Sequence, residues 1–152
     1  MLRFPAPTYD ANAGSGAKDL GDLPEWDLTD LYASDDAAEL KRDLDWLESA
    51  CKSFAEDFEG KLSKLDAAGF LDAIHRHEKI ENIAGRIMSY AGLRYYQLTT
   101  DAERAKFMSD HQEKITIYTT PLVFFTLELN RLADDKIDAL FDASDDLARY
   151  KP

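Results

Sequence analysis

The chain has 152 residues and a formal charge of −12, from 30 acidic and 18 basic side chains. That length fits one domain with a real core. A surface so acidic repels phosphate backbones, which argues against nucleic-acid binding through counterion release. With hydrophobic residues at 45%, charged residues at 32% and few β-branched side chains or strand-like alternations, the composition points to an all-α globule.

Residues 1–22 contain three of the seven glycines and two of the five prolines. They are expected to form a flexible leader. Arg3 is followed by no apolar stretch, so the leader is a poor signal peptide. No run approaches the ~20 apolar residues that cross a bilayer. The single cysteine, Cys51, cannot form an intramolecular disulfide. A cytoplasmic protein with no membrane contact is expected.

Residues 23–152 read as one helical unit. Its first stretch is Leu23-Pro-Glu-Trp-Asp-Leu-Thr-Asp-Leu-Tyr32, in which Asp27 and Thr29 can cap a turn over 29–32. Trp26, Leu28, Leu31 and Tyr32 have two open readings: they plug the end of a bundle, as large apolar side chains mostly do, or they form a docking surface. Ser34 is expected to cap a helix over about 35–59, with Asp35 and Asp36 at its positive end. The seam Leu40, Leu44, Leu47, Cys51, Phe54, Phe58 is spaced 4, 3, 4, 3, 4, the stripe of a bundle helix, and Gly60 ends it.

Residues 66 to about 131 read as two long helices joined by a tight polar turn at Leu98–Asp101. Asp66 is the expected N-cap of the first, with a buried stripe at Phe70, Ile74, Ile80, Ile83, Ile87 and Ala91. Thr100 and Glu103 have capping-box spacing at the start of the second. Its stripe is read as Ala105, Met108, Gln112, Ile115, Leu122, Phe125, Leu129 and Leu132. Pro121 predicts a kink or short break near 118–121. The stretch after it, including Phe124 and Phe125, is apolar on more than one face and asks for a covering partner. A short amphipathic helix at 134–141 turns Ile137, Leu140 and Phe141 inward. Ser144 opens another helix that stops after about two turns, as a truncated chain would. The expected architecture is an antiparallel bundle of three long helices with short C-terminal helices.

Catalytic chemistry is hard to find. His77-Glu-Lys-Ile-Glu81 approaches the helical His-Glu-x-x-His zinc motif, but Glu81 stands where the second histidine belongs, and no third ligand is evident. A dimetal carboxylate site needs Glu-x-x-His on two helices. Only Asp72-x-x-His75 approaches that spacing, and His111 has no glutamate three residues before it. A metal-binding bundle using His75, His77 and His111 is therefore the weakest reading. No phosphate loop or nucleophile elbow is present, and no catalytic residue, metal ligand or cofactor is assigned to this chain.

From Leu23 onward the sequence resembles the N-terminal region of the oligoendopeptidase F family, zinc metallopeptidases related to thimet oligopeptidase. The likeness is carried by Trp26-Asp-Leu-x-x-Leu-Tyr32, Phe58-Glu-Gly-Lys-Leu62, Ser89-Tyr90-Ala91, Leu93-Arg94-Tyr95 and Glu128-Leu129-Asn130. It covers about 130 residues of a non-catalytic lobe. It implies a parent polypeptide that binds zinc in a later catalytic domain and hydrolyses short peptides. This lobe would cover that domain and restrict entry to oligopeptides, its partners being the catalytic domain and, in the parent, the oligopeptide substrate. Alone, it would expose apolar faces and self-associate. The rival reading is a free-standing acidic helical interaction module. Trp26, Leu28, Leu31, Tyr32, Phe124 and Phe125 are the candidate interaction residues.

Overall fold

The computed structural model describes residues 26–151, and every regular element among them is helical. The expected leader and residues 23–25 of the anchor stretch lie outside the described residues. Helix α1 spans Ala38–Phe58, α2 Ala67–Gln97, α3 Ala102–Thr119, α4 Val123–Leu129, α5 Asp134–Asp142 and α6 Asp145–Ala148. Single 3₁₀ turns at Leu62–Lys64 and Thr120–Leu122 link α1 to α2 and α3 to α4. No helix among the described residues is long and apolar enough to cross a membrane.

Helix α2 is the centre, packing against both α1 and α3 and touching α5 and α6. The α1 seam is the expected one: Leu40, Leu47, Cys51, Phe54 and Phe58 are buried and Leu44 is half-buried against them. On α2 the buried side is Phe70, Ala73, Ile80, Ala84, Ile87, Tyr90 and Ala91. Ile74 and Ile83 are only half-buried at its margins. Burial of Cys51 pushes its thiol up to about 11, so it stays a neutral, inert hydrophobe.

Three local expectations need correction. Helix α1 starts three residues later than expected, because Ser34 is used up in a turn. Its carbonyl accepts the Ala37 N–H and its hydroxyl donates to Asp36 Oδ1 at 2.6 Å. The cap of α3 is Asp101 rather than Thr100, since the Asp101 carboxylate accepts from both Glu103 N and Arg104 N, at 2.8 and 3.2 Å. The inner face of α3 keeps Ile115 of the expected stripe but is otherwise rotated from it. His111 and Ile115 are buried and Phe107 and Tyr118 pack beside them, while Gln112 faces solvent. A 4, 4, 3 spacing from Phe107 lets aromatic rings meet Tyr90, whose centroid lies 6.0 Å from Phe107. His111 tolerates burial because Nδ1–H donates to Phe107 O at 2.7 Å.

Asp66 does cap α2, accepting from Gly69 N at 2.8 Å. The break at Pro121 is present as the 3₁₀ turn Thr120–Leu122. Leading into it, Thr116, Thr119 and Thr120 donate their hydroxyls to the carbonyls four residues back, a bonding pattern that bends helices. Gly60 ends α1 at φ +73°, in the left-handed region. Glu128 of α4 reaches this corner and accepts from Gly60 N at 2.6 Å and Leu62 N at 3.3 Å. The chain after α4 is tied down by Lys136, which donates to Leu65 O at 2.8 Å, and by Leu147, which is fully buried.

Candidate functional site

The stretch Trp26–Asp35 forms a strap across one side of α2. Asp27 Oδ1 accepts from Thr29 N at 3.0 Å and from Thr29 Oγ1 at 2.7 Å, and the Leu31 and Tyr32 amides both donate to Leu28 O. This capped turn drives Tyr32 into the core, where it is 2% exposed. Its ring meets Tyr90 edge-on at 5.4 Å, and its hydroxyl donates to Asp43 at 2.6 Å. Leu28 and Leu31 are half-buried against the same core, whereas Trp26 is 55% exposed.

Four α2 residues grip the strap, and their spacing of 4, 4 and 3 keeps them on one helical face. Arg86 donates to Leu31 O and lies over the Tyr32 ring at 4.4 Å. Tyr90 donates its hydroxyl to Asp35 at 2.9 Å, Arg94 pairs with the same carboxylate, and Gln97 donates to Trp26 O at 2.8 Å. Burial would raise the Asp35 pKa, but hydrogen bonds from Arg94 and Tyr90 outweigh it and hold the carboxyl below its ordinary value. Burial and the acceptor Asp35 push Tyr90 up to about 12, and burial with Asp43 pushes Tyr32 higher still.

Trp26, Tyr32, Asp35, Tyr90, Arg94 and Gln97 border a concavity of about 430 Å³. Asp35 is paired to Arg94, and Asp36 accepts from the Ser34 hydroxyl. The arrangement holds the strap by its backbone, through Arg86 on Leu31 O and Gln97 on Trp26 O.

The other pair of candidate residues lies at the far end of α2. Phe124 and Phe125 are 9% and 6% exposed, and both rings pack on Phe54, at 5.9 and 5.3 Å. His77 stacks on Phe125 at 4.5 Å. The outward positions of α4 are Val123 and Leu127, 60% and 51% exposed. The three histidines do not converge: His75 is exposed, His77 is on Phe125 and His111 is on α3. Among the described residues no three His, Cys, Asp or Glu side chains are grouped to hold a metal.

Beside Phe125 opens a second concavity of about 430 Å³, walled by apolar side chains of α2, α4 and α5 and by Tyr150. Sequence reasoning assigned no role to the α2 grip, to Glu128 or to this cleft. The repeat Arg86, Tyr90, Arg94, Gln97 was a legible same-face signal. The Glu128 contact spans 68 residues and the cleft draws on three helices and Tyr150, so neither leaves a local trace. No family model, curated protein or solved structure gives a match to this chain.

Proposed function

We propose that the chain is the non-catalytic helical lobe of an oligoendopeptidase F-like zinc metallopeptidase, covering a catalytic domain and restricting entry to oligopeptides. The observation that carries this reading is the outward apolar side of α4. Val123 and Leu127, four residues apart and so on one side, are both more than half exposed. Large apolar side chains grouped on a surface mark contact sites. Further support comes from the stretch most specific to the resemblance, Trp26–Tyr32, which folds as an ordered strap held on α2. The lobe itself is read as an antiparallel bundle of three long helices. Supporting this, Asp35, Asp43 and Asp57 pair with Arg94, Arg86 and Arg76 in reverse order along α2. A cytoplasmic setting suits its single, buried thiol.

The test is a peptidase assay on the native protein captured from its source cells, beside the 152-residue chain made alone. The reading expects chelator-sensitive cleavage of an unstructured oligopeptide by the native protein and none by the isolated chain. Native protein without such activity contradicts it. The rival interaction module is favoured by one observation: no buried side-chain polar atom among the described residues lacks a hydrogen-bond partner, as in a self-sufficient domain. It expects the isolated chain to be a monodisperse monomer or symmetric dimer that binds no hydrophobic dye.

A further inference from the structure

The cleft beside Phe125 has the make-up of a small-molecule site. Its volume of about 430 Å³ falls within the range of ligand pockets, which are mostly apolar with a few polar groups fixing orientation. The buried rings of Phe70 and Phe125 face it from α2 and α4, and Ile74, Leu129 and Phe141 complete the apolar wall. Only two lining groups are polar, and they meet at one point: the Tyr150 hydroxyl donates to Glu78 Oε2 at 3.0 Å. Glu78 has no ion-pair partner among the described residues. Three cations of neighbouring segments are engaged elsewhere, Lys136 with Leu65 O, Lys151 with Asp138 and Arg149 with Asp146. An apolar cavity with a single carboxylate at its edge complements a molecule with an apolar body and one cationic head.

We propose that this cleft binds small aralkyl or branched alkyl amines, the hydrocarbon among Phe70, Ile74 and Phe125 and the ammonium on Glu78 beside Tyr150. The hydrocarbon supplies affinity through area removed from water. The ammonium supplies orientation and selectivity through a charge-assisted hydrogen bond. An anionic isostere meets the Glu78 carboxylate and an acidic surface, so it is rejected. The inference stands independently of the peptidase reading.

The experiment is a methyl-detected NMR titration of the full chain with 2-phenylethylamine, 2-phenylethanol and phenylacetate. The proposal expects shifts at Ile74, Leu129 and Ile137, with the amine binding about fivefold tighter than the alcohol at low salt, the scale of an exposed ion pair. Phenylacetate should be weakest. Glu78→Gln, at an exposed position, should remove the amine's advantage over the alcohol, as should high salt. Equal binding of amine and acid overturns the proposal. So does an amine preference that survives Glu78→Gln, or saturable shifts confined to the strap end of α2.

Discussion

At the scale of single residues, the fold is held at its corners by a few carboxylates that accept from backbone. Glu128 is the clearest, closing two amides at the turn after α1 from a helix 66 and 68 residues away. Glu128→Ala should lower stability by about 1–2 kcal/mol, the cost of orphaned donors, whereas Glu113→Ala, at an exposed α3 position, should stay within about 0.5 kcal/mol. Urea midpoints of the two variants check this. Tyr90 gives a pH prediction. Its folded pKa is raised to about 12, so the folded state holds the proton more tightly than the unfolded chain. The stability it contributes is complete below the ordinary tyrosine pKa near 10 and is lost as pH rises toward 12. Asp35 works with the opposite sign: its depressed pKa contributes stability above the ordinary aspartate value, lost as pH falls through the folded one. Tyr90→Phe should therefore flatten the alkaline limb of a stability–pH curve, and Asp35→Asn the acid limb. Unchanged limbs would contradict the strap network.

At the scale of elements, the sequence showed what local periodicity and capping can show. The α1 seam, the Asp66 cap, the Pro121 break and the inward Leu140 were all legible because neighbours three or four residues apart decide them. Ile115 was read correctly, but the rest of the α3 face was misread because Ala105, Met108 and Gln112 lead to it with as good a spacing as Phe107 and His111 do. The choice is made by long-range contact with Tyr90, not by spacing. For the same reason the strap could be seen as apolar but not as gripped by Arg86, Tyr90, Arg94 and Gln97. Helix α6 is only four residues long, yet Leu147 is fully buried, so its docking is tertiary. Leu147→Ala should cost about 2–5 kcal/mol if the tail belongs to the cooperative unit. A chemical-denaturation midpoint like that of the unaltered chain would show a tail that frays independently.

At the scale of the whole molecule, two features pull on the functional reading. The interior is complete, with a core running from Tyr32 through Phe54 to Leu147. The exterior is not, since Val123 and Leu127 leave apolar surface open on α4. A lobe that packs against a catalytic domain needs both: a core of its own and an uncovered contact side. In the proposed reading that domain is the catalytic half of a peptidase, and Trp26–Tyr32 carries the resemblance from which the proposal starts. The most direct measurement is the intact mass of the native protein from its source cell. The account predicts a mass several times the 17.2 kDa of these 152 residues, with stoichiometric zinc bound. A native mass of 17.2 kDa without zinc would contradict it and leave a free-standing helical module.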